Sequence, residues 1–163
     1  MGKTKEQQVS FSFKKQLRVG DEGEALFRQN YASLNPVKSE DKAIDFLING
    51  NESVELKTDT YLMSDTPNMF IEQYSDDEKK TLGGLWRAYD DKVKYFVYFY
   101  MKDKTFFWFD TVKFYEGLMP LIKKNKYKTH RILNHGGKWR SLGHLIPRKD
   151  VLHLVEKTDT MSI

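Results

Sequence analysis

The chain has 163 residues, with 27 Lys or Arg against 23 Asp or Glu, 14% aromatic residues and no Cys. This length suits one domain with a substantial core, and the aromatic content argues against a disordered chain. The lack of Cys excludes a disulfide scaffold, a thiolate metal site and a thiol nucleophile. Because neither a membrane-spanning apolar run nor the apolar core of a signal peptide is present, we predict an intracellular, cytoplasmic protein without membrane contact.

The charges are distributed unevenly along the chain. Residues 1–18 hold five Lys or Arg and one acid, whereas residues 19–91 hold seven against sixteen acids. Residues 112–150 hold ten Lys or Arg against two acids. An acidic block between basic ones suits a metal-dependent enzyme that acts on a polyanion, because carboxylates hold cations while Lys and Arg hold phosphates. The alternative is ordinary variation of surface charge.

The start of the chain predicts an arm followed by a helix. We expect a basic N-terminal arm over residues 1–18 and a single domain over residues 19–163. A helix is predicted over about residues 20–33, where Asp21 can cap the first turn and acids follow it. Two short strands, 43–48 and 53–57, then flank an Asn-Gly-Asn turn and predict a β-hairpin.

The rest of the chain mixes strands and helices. Further strands are predicted over residues 69–74, 94–101, 105–109, 129–133 and 138–146. Helices are predicted over residues 111–124 and 147–156, a short helix or turn over residues 82–89, and a loop over residues 58–67. This order predicts an α/β (α+β) domain with a mixed central β-sheet flanked by helices.

Three charged residues of the hairpin carry the chemical signal. Asp45 lies in an apolar strand, where an acid is costly unless it is paired or binds a cation. In the next strand, alternation places Glu55 and Lys57 on one face, and Asp45 can face the same side. Two carboxylates suit a hard cation such as Mg²⁺, and a neighbouring Lys could orient or activate a water molecule.

The series Asp45, hairpin turn, Glu55-x-Lys57 resembles the PD-(D/E)xK nuclease superfamily. That resemblance implies a restriction-endonuclease-like core in which Asp45 and Glu55 bind metal and Lys57 positions or deprotonates the attacking water. A Glu from the preceding helix commonly completes such a site. The segment Gly20-Asp-Glu-Gly-Glu24 resembles this helix opening, which favours Glu24 as the third metal ligand and leaves Glu22 as the alternative.

The chain also departs from the family pattern. Ile44 stands where the motif takes its name from Pro, although many members lack that Pro. The likeness extends loosely to Phe70-Ile-Glu72 and to the segment 83–88, as in small phage-encoded members. Glu72 is a candidate to support the metal or its water from outside the ligand set; the alternative is an edge-strand acid that faces solvent.

The resemblance implies a Mg²⁺-dependent DNA endonuclease, with Mn²⁺ as a substitute, whose catalytic residues are Asp45, Glu55 and Lys57. The small size allows a structure-selective enzyme such as a junction resolvase, and such enzymes usually act as homodimers. A restriction or repair endonuclease is the other branch. The competing hypothesis is a non-catalytic nucleic-acid-binding or assembly protein on a nuclease-like fold.

The basic segment 123–149 is the predicted DNA contact. It holds many cations and almost no acids, and Tyr127 and Trp139 interleave with the cations. The alternative is a solvated loop. His135 and His144 within the segment are expected to be surface residues, with a phosphate contact or an acid role as the alternative. The residues predicted to contact phosphates are Lys123, Lys124, Lys126, Lys128, Arg131, Lys138 and Arg140.

Overall fold

The protein is described by a computed structural model that covers residues 5–41, 44–134 and 139–162, with the backbone alone for residues 5–17 and Asn134. Within these residues the α-helices are α1 (Lys5–Asn30), α2 (Gly84–Asp90) and α3 (Thr111–Asn125). No helix in the described ranges is long and apolar enough to cross a membrane.

Ten strands lie within the described residues. In chain order they are β1 (Val37–Lys38), β2 (Phe46–Ile48), β3 (Glu52–Asp59), β4 (Asn68–Asp76), β5 (Thr81–Leu82), β6 (Tyr95–Tyr100), β7 (Thr105–Asp110), β8 (Thr129–Asn134), β9 (Trp139–Pro147) and β10 (Val155–Thr160).

The strands form two sheets. The larger sheet has the order β1-β2-β3-β6-β7-β10, and the smaller has the order β5-β4-β9-β8. In the larger sheet β3 and β6 run parallel and the other neighbours run antiparallel. The molecule is therefore a mixed α/β domain with a mixed central sheet, as the order of elements predicted.

Aromatic side chains cover both faces of the larger sheet. On one face, Phe27 of α1 and Tyr31, which directly follows the helix, pack against alternate residues of the strands, including Phe46, Phe99 and Trp108. On the other face the buried cluster combines α2, α3, the smaller sheet and the intervening residues of β6 and β7. Two hydrophobic cores thus enclose the sheet, and β3 contributes Val54 to the core on the α1 side.

Two predicted elements differ from the structure. Helix α1 begins at Lys5 rather than near residue 20, so the backbone of the predicted arm is helical from that residue. The predicted helix 147–156 is wrong, because two short 3₁₀ turns there lead into β10. Strand β10 pairs with the outer edge of β7, which would otherwise leave its backbone groups unpaired.

Candidate metal-binding and catalytic site

The β2–β3 hairpin places the two predicted hairpin acids on one face of the sheet. Phe46 pairs with Val54 across the antiparallel β2–β3 pair, Asp45 directly precedes Phe46, and Glu55 directly follows Val54. Because side chains alternate along a strand, both acids point to the face opposite these two apolar residues, and the Asp45 charge acts on Glu55. Lys57 shares that face because it lies two residues beyond Glu55 on β3.

Asp45 also closes the open edge of β3. Strand β2 is short, so beyond Val54 the edge of β3 has no further partner from β2. There the Asp45 amide donates to the Val54 carbonyl at 3.0 Å, and the Leu56 amide donates to Asp45 Oδ2 at 2.7 Å. This carboxylate is therefore fixed beside the Glu55-Leu56-Lys57 segment.

Helix α1 contributes Glu24 at the edge of the same region. Glu24 is partly buried and lines the cleft that contains Lys57, whereas Glu22 is exposed. Both Glu24 carboxylate oxygens accept from Lys38 Nζ at 2.7 Å. Gly23 makes this approach of α1 to β3 feasible, because a side chain there would overlap Thr58.

Glu72 enters from the smaller sheet, and two glycines are fitted around it. A Cβ atom at Gly83 would overlap the Glu72 carboxylate, and one at Gly84 would overlap the Glu72 backbone. Gly84 also has a φ of 48°, in the left-handed region that favours glycine. The glycine pair therefore accommodates Glu72.

Burial raises the pKa values of the acids in this region. For Asp45, burial outweighs the opposing hydrogen bond from the Leu56 amide, and the pKa is raised. For Glu55, burial and then the Asp45 charge raise the pKa well above its usual value. Burial also raises the pKa of Glu72, although the Lys57 charge opposes the shift. Asp45, Glu55 and Glu72 therefore form a charge cluster, in which the charges of the other two acids raise the pKa of Glu55.

Two cations face this cluster. Lys57 stabilises the charge of Glu72, and its Nζ lies 5.7 Å from the centre of the Phe70 ring. Arg87 of α2 lowers the pKa of each of the three buried acids, although a larger effect of burial prevails. Arg87 is not predicted from the sequence as a site residue. The pattern that could have indicated it is its place on a short helix, one turn after the glycine pair.

A cleft of about 710 Å³ opens beside the cluster, between β3, α1 and the smaller sheet. Lys57, Glu24 and Glu72 all line it, together with residues of the loop after β3 and of β8 and β9. Residues 58 and 59 of the predicted loop belong to β3 instead. The extension follows from parallel pairing with β6 up to the Asp59–Tyr100 pair.

The predicted phosphate contacts are exposed but lie apart from this cleft. Among those the structure describes, the four Lys are exposed at the end of α3 and the start of β8. Arg131 and Arg140 lie on β8 and β9 and alternate with the cleft-lining Ile132 and Ser141, so they share the opposite face. Arg131 Nε binds Asp77 at 2.9 Å, and Lys138 lies outside the described residues.

His144 is buried, contrary to the expectation of a surface residue. It stacks on Trp86 with a ring separation of 5.2 Å, and its Nε2 lies 2.8 Å from Gln73 Oε1. The reason is strand register, since His144 pairs with Ile71 on the core face of the smaller sheet. His135 lies outside the described residues.

Across the described residues, no group of three or more His, Asp or Glu side chains is already arranged to hold a metal ion. The donors are oxygen atoms of carboxylates, which suit Mg²⁺ or Mn²⁺, and a cation would offset the mutual repulsion of Asp45 and Glu55. Glu24 would have to leave Lys38 to join them. Compared with protein-family models, curated proteins and solved structures, the chain matches none of them significantly.

Proposed function

We propose that the protein is a divalent-metal-dependent DNA endonuclease built on a restriction-endonuclease-like core. The observation that supports this most is the charged face of β3, where Asp45 and Glu55 share one face and interact, with Lys57 two residues further on. Placing two acids side by side where burial raises their pKa values is costly. A bound cation would offset this cost, because it neutralises the two carboxylates.

In this proposal Asp45 and Glu55 hold Mg²⁺, with Glu24 as a third ligand. When bound, the cation supplies charge stabilisation to the phosphate and lowers the pKa of a coordinated water. Mn²⁺, which accepts the same oxygen donors, serves as a substitute. The Leu56 amide keeps Asp45 oriented toward β3, so one ligand is preorganised before any cation arrives.

Lys57 has a different role, because an ammonium group has no lone pair with which to coordinate a metal ion. Water attacks phosphorus, and the bond from phosphorus to the leaving oxygen breaks. Lys57 positions that water and stabilises the negative charge that grows on the phosphate oxygens. Glu72, whose carboxylate accepts a hydrogen bond from the Gly84 backbone, attracts the ammonium group of Lys57 electrostatically.

The exposed cations at the end of α3 and on β8 provide the proposed DNA-binding surface, and cutting of both strands would require a homodimer. A second candidate is a non-catalytic nucleic-acid-binding or assembly protein on the same fold. The ion pair between Lys38 and both Glu24 oxygens favours that alternative, because it satisfies one proposed ligand without a cation.

A cleavage assay tests the proposed function. Purified protein is incubated with supercoiled, linear, single-stranded and four-way-junction DNA, with Mg²⁺, Mn²⁺ or a chelator. We expect metal-dependent cleavage that Lys57→Ala lowers by about 100-fold or more, the scale expected for removing an electrostatic stabiliser. Lys113→Ala, at a side chain that is 72% exposed, is the matched control and should cleave normally. Intact DNA of all four kinds would contradict the proposal.

A further inference from the structure

The cleft beside the charged cluster has a charge balance that does not suit a phosphate backbone. Among the described residues that line it, four are acids, and Lys57 is the one residue with a permanent positive charge. The acids of such a surface would repel a chain of phosphates. They would not repel an uncharged group of comparable size. The four acids are Glu24, Asp59, Asp65 and Glu72.

The aromatic ring of Phe70 lines the cleft and packs closely against a glycine. Gly143 of β9 lies under Phe70, and a Cβ atom at Gly143 would overlap the Phe70 ring. The ring therefore lies against the backbone of β9, and Phe70 remains only partly buried and lines the cleft. His130 stands at its edge, with a ring separation of 6.5 Å and an interplanar angle of 85°.

Tyr61 is a second aromatic side chain that lines the cleft, and its backbone is held by a hydrogen bond. Tyr61 is 65% exposed, although its ring is largely apolar. Its amide donates to Asp59 Oδ1 at 2.8 Å, and the other Asp59 oxygen accepts from the buried Tyr98 hydroxyl. The loop after β3 is thereby anchored, and the Tyr61 ring is presented to the cleft without a partner in the core.

We propose that this cleft binds an unpaired nucleobase of the nucleic-acid substrate, stacked on Phe70 and covered by Tyr61. The volume of about 710 Å³ falls in the range of sites for small molecules, about 300–1,000 Å³, and suits an uncharged base rather than a length of duplex. Ser141, Asn68 and His130 line the cleft as polar groups for the edge of a base.

The position of Lys57 connects this cleft to the proposed catalytic site. Its ammonium group lies 5.7 Å from the centre of the Phe70 ring, so a base on that ring would hold its phosphate near Lys57. The inference rests on the proposed nuclease function and adds a substrate class to it. Single-stranded DNA, or DNA with unpaired nucleotides at the cleavage point, should be preferred over continuous duplex.

Photocrosslinking tests the location of the base. Oligothymidine containing 5-iodouracil is bound to the full-length protein in Ca²⁺, irradiated, and the adducts are mapped by mass spectrometry. We expect adducts at Phe70 or Tyr61. Adducts found only on other parts of the protein would overturn the inference.

Binding measurements separate the base from the backbone. Fluorescence anisotropy in Ca²⁺ compares labelled oligothymidine with an abasic strand of the same length. Tyr61→Leu and Phe70→Leu should each weaken oligothymidine binding about ten-fold and leave the abasic strand unaffected, since stacking acts on the base alone. Because Tyr61 is exposed, its variant should fold normally. Tyr74→Leu, further along β4 and outside the cleft, is the matched control.

The outcomes distinguish this inference from the proposed function. If the protein cleaves DNA with metal but both leucine variants bind oligothymidine as tightly as wild type, the base-binding inference fails and the nuclease proposal stands. Equal weakening on the abasic strand would also overturn it. If wild-type protein neither binds nor cleaves any DNA, both fail together.

Discussion

Strand β3 separates two regions that use the same backbone for opposite purposes. Toward α1, Val54 is fully buried and packs in an aromatic cluster with Phe27 and Phe46. Toward α2, Glu55 and Lys57 lie among other charged groups, and burial raises the Glu55 pKa. The first face stabilises the fold, whereas the partly desolvated acids on the second face destabilise it. On β3, therefore, side chains that serve stability and side chains that serve chemistry lie on opposite faces of the same strand.

The largest effect on stability should come from the apolar face. Phe27 is fully buried and its ring stacks on Phe46 at 5.0 Å, with further contacts to Tyr31 and Trp108. Phe27→Ala should lower the free energy of unfolding by about 3–5 kcal/mol, because it removes a buried ring and leaves a cavity. Urea denaturation followed by circular dichroism measures this, and a loss below about 1 kcal/mol would contradict the packing described.

A smaller loss should follow from disturbing Glu72 through its glycines. Gly84→Ala adds a Cβ atom that overlaps the Glu72 backbone at a residue with positive φ. We expect a loss of about 1–3 kcal/mol in thermal or urea unfolding. Gly20→Ala is the matched control, since nothing lies within 4 Å of the added atom and α1 passes through this residue. The control should be neutral or slightly stabilising, and equal losses in both variants would contradict the role of Gly84.

Substitutions on the charged face should raise the stability of the protein, by an amount that depends on pH. The folded pKa values of Asp45 and Glu55 are raised, so the folded state holds more protons than the unfolded state between the usual and the raised values. Stability must then fall as pH rises through that window. Asp45→Asn and Glu55→Gln should remove this loss and unfold at higher temperature near neutral pH.

At acidic pH the same carboxyls are protonated in both states, so the advantage of the two variants over wild type should shrink. Thermal unfolding across a pH series without divalent cations measures it. The control is Glu52→Gln, which alters an acid of β3 that lies outside the charge cluster and bonds to Tyr95. Variants that are less stable than wild type at neutral pH would show that the acids serve the fold.

Much of the fold follows from local sequence patterns. The β2–β3 hairpin, β6, β7 and α3 all arise near the predicted positions, because their turn residues, aromatic alternation and capping Asp110 are local signals. The predicted helix 147–156 is replaced by two 3₁₀ turns and the start of β10, because that strand depends on the open edge of β7, which no local pattern reveals. The same holds for the extra residues of β3, which are set by pairing with β6.

The site was only partly predictable for a similar reason. Asp45, Glu55 and Lys57 are close in sequence, so hairpin register alone predicts their shared face. Lys38 and Arg87 reach the cluster through tertiary packing, and the burial of His144 depends on register in the second sheet. The basic residues Arg131 and Arg140 are predictable as exposed, but their face relative to the cleft requires the β8–β9 pairing.

Metal titration by calorimetry tests the central claim most directly. Mg²⁺ and Mn²⁺ are titrated into wild-type protein, Asp45→Asn, Glu55→Gln and the Glu52→Gln control, in two buffers with different heats of ionisation. We expect wild type and control to bind the cation and to release protons, because the cation competes with protons for the carboxyls of Asp45 and Glu55. The two site variants should lose this binding. Absence of binding in wild type, or binding unchanged by both site substitutions, would contradict the claim.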